Sequence, residues 1–215
     1  MNAGNGSRRQ PGLLHPLTAD EQTRLEQALD AAGPQWGIAA RLMGRLGLRV
    51  GEVAKLCWRH VEIYPPGEPA LHIVAAITKT GYARTLPIPR TLTELLIEHR
   101  HAATIRWTEQ FDPDATDGRQ RAFLDMPLIA KKDEKRITPR WFQIVIAKVA
   151  QSALGRKVKP HTLRHTFATR LLQQTNMRVV QAALGHRSIR STQIYTHPTL
   201  ADLRAAIQKT EENST

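Results

Sequence analysis

The chain has 215 residues, long enough for one well-packed domain with a short appendage. It carries 31 lysines and arginines against 19 acidic residues, a net charge of +12, which points to a polyanionic partner such as DNA or RNA, though a ribosomal or membrane-surface protein could carry the same charge. Its single cysteine, Cys57, excludes an internal disulfide and a cysteine metal cluster, and no apolar run is long enough to span a bilayer.

Residues 1–16 are rich in Gly, Asn, Pro and Arg and read as a flexible basic arm in which Arg8 and Arg9 face solvent or DNA backbone. Thr18-Ala-Asp-Glu21 is a capping box, and Leu25, Ala28 and Leu29 continue an amphipathic helix. A second helix is expected from Gln35 to Leu46. In Gly47-Leu-Arg-Val-Gly-Glu52 an arginine lies between glycines, and a new helix starting near Gly51 is expected to carry Val53, Leu56 and Cys57 inward. Three β signals follow: Val61–Tyr64 before the Pro65-Pro66-Gly67 turn, Leu71–Ile77, and Tyr82–Pro87. They predict a small antiparallel sheet with Lys79 at a hairpin tip.

A helix is expected from Thr91 to Trp107, then a polar loop from Thr108 to Arg121. The acidic residues Asp112, Asp114 and Asp117 in that loop miss the calcium-loop spacing by one position, so no metal is assigned there. Thr138-Pro139 opens a helix with Trp141, Ile144, Val145 and Val149 on one face. The run from His161 to His197 carries the densest chemistry. On a helix turning ~100° per residue, His161 and Arg164 lie about 60° apart and reach one target, while Leu163, Phe167 and Leu171 form a separate apolar stripe. His186 follows Gly185 at a helix end, Tyr195 comes nine residues later, and Leu200, Leu203 and Ile207 mark a last amphipathic helix.

Weighed singly, these residues have ordinary readings. Arg49 could be a surface cation, yet Glu52, three residues on, can pair with it and fix its fork toward a phosphate. Lys79 could be a solvated turn residue or a flexible donor reaching into a groove. His161 and His165 have the spacing of a zinc pair, but Thr162 stands where a metalloprotease needs glutamate, and a structural role suits His165. A lone Tyr195 would be a packed aromatic; as a nucleophile it needs cations or a base beside it.

Together, Arg49 within Gly-Leu-Arg-Val-Gly-Glu, Lys79 before Arg84-Thr-Leu-Pro87, His161-Thr-Leu-Arg164-His-Thr-Phe-Ala-Thr, Leu184-Gly-His186 and Tyr195-Thr-His stand in an order that resembles the catalytic domain of the tyrosine recombinase (phage integrase) family. The resemblance runs from about Leu17 to His197. It implies a mainly α fold with a small three-stranded antiparallel sheet (α+β), and site-specific cutting and rejoining of DNA through a 3′-phosphotyrosyl intermediate. Tyr195 would then be the nucleophile, Arg49 and Arg164 the phosphate clamp, and Lys79 the general acid. His161 would accept the tyrosine proton, His186 would donate to the phosphate, and Glu52 would support Arg49. Arg84, Lys159 and Arg187 are expected to touch DNA. No cofactor or metal is called for.

The implied partners are double-stranded recombination sites, further copies of the chain in a homo-tetramer on DNA that could be monomers in solution, and accessory DNA-bending factors, in the cytoplasm or at the nucleoid. Residues 198–215 are expected to form a helical tail that packs in cis or docks on a neighbouring protomer. The DNA-clamping domain that precedes the catalytic domain in most members is expected to be missing. Two rival readings keep the fold and change the chemistry. A type IB topoisomerase generally has lysine where His161 stands, and a DNA-binding regulator would not exchange strands. One physical condition is common to the assignments: Arg49 and Arg164 should both face a phosphate-sized hollow, and an arginine locked away from solvent would count against them.

Overall fold

A computed structural model describes residues 15–64, 67–79, 81–109, 119–131, 135–185 and 200–212. Of the positions singled out above, Arg8, Arg9, Pro65, Pro66, Asp112, Asp114, Asp117, His186, Arg187, Tyr195 and His197 lie outside the described residues.

The first helix, α1 (Ala19–Ala32), begins with the expected capping box. The Glu21 amide donates to the Thr18 hydroxyl at 3.1 Å, and the Glu21 carboxylate receives the Thr18 amide at 3.0 Å. After Gly33, α2 (Pro34–Gly44) forms the centre of the domain. Its Gly-Ile-Ala-Ala-Arg-Leu-Met-Gly run is apolar nearly all round, which lets it touch α1 on one side and helices from later in the chain on the others.

The next helix, α3 (Val50–Val53), is a single turn and does not carry Leu56 and Cys57 as expected. There the chain pairs instead with residues 126–128: the Trp58 amide donates to the Met126 carbonyl, and the Leu128 amide to that of Leu56. Backbone bonds to a distant segment outcompete helix continuation.

Strands β1 (Val61–Glu62), β2 (Ala70–Ile73) and β3 (Arg84–Pro87) form the predicted antiparallel sheet in the order β1-β2-β3. The register sets Leu71 opposite Leu86 and Ile73 opposite Arg84. The second strand is shorter than its sequence signal, because Ala75–Ile77 turns into a 3-10 helix. Lys79 lies on the connection between β2 and β3, as expected, and is exposed.

Beyond the sheet come α4 (Arg90–Glu109), α5 (Arg119–Asp125), α6 (Pro139–Leu154), α7 (Pro160–Gln174), α8 (Met177–Leu184) and α9 (Leu200–Glu212). The short α5 falls partly within the stretch expected to be loop. In α6 the expected face is packed only in part: Val145 and Val149 lie against the core, but the fully buried stripe is a different one. Phe142, Ile146 and Ala150 point inward, whereas Trp141 and Ile144 are 47% and 43% exposed. The inward stripe runs i, i+4, i+8 and meets Trp36, whose ring packs edge-on against Phe142.

The last helix, α9, packs on its own chain. Leu203, Ala206 and Ile207 are buried in a seam with β3, α7 and α8. Glu211 accepts from Arg45 at 3.2 Å and from the Thr91 hydroxyl, and Arg204 pairs with Glu68. Among the described residues, no helix is long and apolar enough to cross a membrane.

Candidate active site

The site is built where α3, β3, α7 and the end of α8 meet. Arg49 is the N-cap of α3, and Glu52 is its N3 residue. The Glu52 carboxylate turns back to receive the Arg49 amide at 2.8 Å and one Arg49 guanidinium nitrogen at 3.2 Å. The pairing expected from their spacing is thus present, and the first turn of a short helix holds the arginine's direction.

Glu52 is almost wholly buried and has two further cationic neighbours. Arg84 reaches it from β3 with both outer nitrogens, at 3.1 and 2.9 Å. Arg164, from the first turns of α7, comes within 3.9 Å. Burial on its own would raise the Glu52 carboxyl. The hydrogen bond and charge of Arg84, followed by the Arg49 amide and the charge of Arg164, hold it below its ordinary value. One carboxylate therefore faces three guanidiniums, and the cluster carries a net excess of positive charge.

That excess is felt most by Arg164. Burial first, then the nearby charges of Arg49 and Arg84, push its guanidinium down to about 10, with Glu52 opposing. Arg164 is 6% exposed and donates to the carbonyls of Gly47 and Leu184. It is thus far more enclosed than a polar helix edge would be. The condition that both arginines face a hollow is met by Arg49 and not by Arg164, whose enclosure counts against a direct phosphate contact. The sequence held the reason: Arg164 lies three and seven residues before Phe167 and Leu171, on the buried stripe itself. Arg49, with 27% of its side chain exposed, is the outward-facing member of the pair.

Gly47 makes this enclosure possible. It adopts φ +70°, and a Cβ there would lie 2.3 Å from the Phe167 ring. Only glycine lets the backbone come close enough for its carbonyl to meet the Arg164 fork. His161 is exposed in the first turn of α7, and Lys159, the N-cap of that helix, is exposed as well. His165 is half-buried one turn further on. Among the described residues, no three His, Cys, Asp or Glu side chains are grouped to hold a metal.

Arg84 departs from expectation. Its expected place is at the DNA, but its side chain is 5% exposed and its nitrogens are bonded to Glu52 and to the Ala183 carbonyl. A signal for this was present in the strand period. Arg84 and Leu86 lie two apart on β3, and Leu86 is fully buried, so both point inward. Lys79, His161 and Lys159 are exposed, while His186, Arg187 and Tyr195 lie outside the described residues, the first of them directly after Gly185 in the chain.

The mainly helical domain with its three-stranded antiparallel sheet is the fold of tyrosine recombinase catalytic domains. Residues 16–201 match the phage integrase family, and the chain belongs to it. It is 30% identical over 204 residues to tyrosine recombinase XerC of Pseudomonas putida (strain W619), covering 92% of this chain and 59% of the relative. The chain thus spans less than two thirds of that protein. The crystal structure of XerA recombinase superposes with a TM-score of 0.64 at 25% identity, over 91% of this chain and 64% of that one. A lambda integrase tetramer bound to a Holliday junction shares the fold, with a TM-score of 0.58 at 18% identity over 84% of this chain and 49% of that one.

Proposed function

We propose that the protein is a site-specific DNA recombinase that cuts and rejoins strands through a phosphotyrosyl intermediate. The observation that carries this reading is the cation-rich cluster on Glu52, in which Arg49 faces outward while Arg84 and Arg164 stand behind it. An excess of fixed positive charge in a partly water-excluded wall suits a phosphodiester that gains negative charge on its non-bridging oxygens in the transition state. Arg49 meets that charge from the open side. Arg164, held by Gly47 and Leu184, acts from within the wall, where low dielectric strengthens its field.

The Tyr195 phenol oxygen attacks the scissile phosphorus, forming a 3′-phosphotyrosyl ester, and the bond to the 5′-oxygen breaks. His161 takes the phenol proton, Lys79 protonates the departing 5′-oxygen, and His186 donates to the phosphate. Rejoining runs the same steps backward with a new 5′-hydroxyl. Each step exchanges one phosphate ester for another, so no high-energy cofactor is consumed. Lys159 and Arg187 contact the backbone of the duplex. Assembly as a tetramer on paired DNA sites, in the cell's DNA-containing compartment, accompanies this chemistry, as the lambda integrase complex illustrates for that protein.

The test is covalent trapping on nicked duplexes tiled across the DNA that flanks the encoding gene. The expected result is a denaturant-stable protein–DNA adduct with the unmodified protein and none with Tyr195→Phe. An adduct of undiminished yield from Tyr195→Phe overturns the nucleophile assignment. Tight DNA binding with no adduct from the unmodified protein on any duplex overturns the recombinase reading in favour of a regulator.

A further inference from the structure

The three arginines on Glu52 are not equivalent. Arg49 is the most exposed, and Arg84 uses its Nε, Nη1 and Nη2 inside the protein. Two of these grip the Glu52 carboxylate side by side, and Nε donates to the Ala183 carbonyl at 2.8 Å. We propose that Arg84 is a positioning residue for strand transfer: it locks Glu52 beneath Arg49 and ties that carboxylate to the last turn of α8, from which Gly185 and His186 continue. The inference rests on the recombinase reading above and adds to it a residue that meets no DNA.

Several observations converge on this role. The last carbonyls of a helix have no partner within it. Here those of Ala183 and Leu184 are taken by Arg84 and Arg164, which also flank Glu52. Gly185 then turns with φ +64°, and a Cβ on it would lie 2.9 Å from an Arg84 nitrogen, so this turn is packed directly on the guanidinium. Arg84 therefore fixes two things at once: the carboxylate that aims Arg49, and the backbone that leads into His186. A bidentate fork holds a carboxylate's orientation as well as its position, which a lysine ammonium cannot do.

The same geometry gives a signature that mere packing would not. The charged groups facing Glu52 are Arg49 from the start of α3, Arg84 from β3 and Arg164 from α7. Of the influences holding the carboxyl ionised, the hydrogen bond and charge of Arg84 are the largest, and burial works against them. Without Arg84, Glu52 takes up a proton at higher pH, and a neutral Glu52 loosens its grip on Arg49.

The experiment uses the full chain and a nicked duplex that the unmodified protein traps. Single-turnover adduct formation at saturating DNA is followed for the unmodified protein, Arg84→Met and Arg84→Lys, from about pH 5.5 to about pH 8.5. Arg84→Met is expected to form adduct on the order of 100-fold more slowly near neutral pH. Its rate relative to the unmodified protein should fall further as the pH drops. Arg84→Lys, which keeps charge without the fork, should lie between the two. If Arg84→Met does not fold, the Arg84→Lys ratio decides alone. A rate ratio near one for the folded variants, or one lowered by the same factor at every pH, overturns the proposal while leaving the recombinase reading intact. Absence of any adduct from the unmodified protein overturns both.

Discussion

Gly47 stands so close to Phe167 that a methyl group on its Cα would lie 2.3 Å from the ring, well inside contact distance. The carbonyl of this same glycine receives Arg164, so the close approach also sets the guanidinium's place. Gly47→Ala combines a positive φ for a residue with a side chain and an overpacked core, at about 3 kcal/mol in all. The melting temperature should fall by about 10 °C in a chain of this size. Adduct formation at a temperature where the variant is still folded should also fall. A variant as stable as the unmodified protein would show that the 45–48 turn yields without cost.

Arg49 differs from Arg164 in being able to meet a ligand directly. Arg49→Lys keeps a charge at the mouth of the cluster and loses the planar fork, so single-turnover adduct formation should drop on the order of 100-fold. Binding to the same duplex, read by fluorescence anisotropy, should change far less, because one phosphate contact is a small part of the total. An equal loss in binding and in rate would make Arg49 a binding residue only.

Much of this centre was legible from the chain. The Arg49–Glu52 pair follows from spacing on a helix start, and the three β signals yielded the sheet. Arg84 and Arg164 were harder because both break a habit: arginine is almost never fully buried unless paired. Their partners, Glu52 and the carbonyls of Gly47, Ala183 and Leu184, come from segments distant in the chain, up to 117 residues away in the case of Gly47 and Arg164. Yet the periods carried the hint, since Arg84 shares a face with Leu86 and Arg164 a stripe with Phe167. On α6 the sequence identifies Val145 and Val149 as packed but not the fully buried stripe, for a related reason. Trp141 and Ile144 are as hydrophobic as Phe142 and Ile146, and the packing of α6 on α1, α2, α3 and α7 separates the two stripes.

The α9 helix lends itself to a direct test of which chain it stabilises. Ile207 is 3% exposed, and its truncation in Ile207→Ala should cost about 3 kcal/mol through lost burial and the cavity left behind. Because the helix is seated on its own chain, the melting temperature of both proteins should be independent of protein concentration. A midpoint that climbs with concentration would place the helix on a second copy.

Glu21 and Arg156 join the start of α1 to the turn after α6 by two parallel bonds, at 2.9 and 2.8 Å. The hydrogen bond from Arg156 is the main cause that lowers the Glu21 carboxyl; partial burial opposes it, and the Thr18 amide and the charges of Arg156 and Arg24 add to it. A carboxyl lowered by folding contributes stability that is fully present above its unfolded value of about 4.5 and fades as the pH falls through the folded value. Arg156→Ala should therefore melt below the unmodified protein at neutral pH, with the gap closing once the pH falls below about 4.5. Raising the salt concentration at neutral pH should narrow the gap only in part, because the pair is partly shielded from solvent. A gap that stays constant down to about pH 3 would assign the loss to the packing of the Arg156 stem and not to its charge.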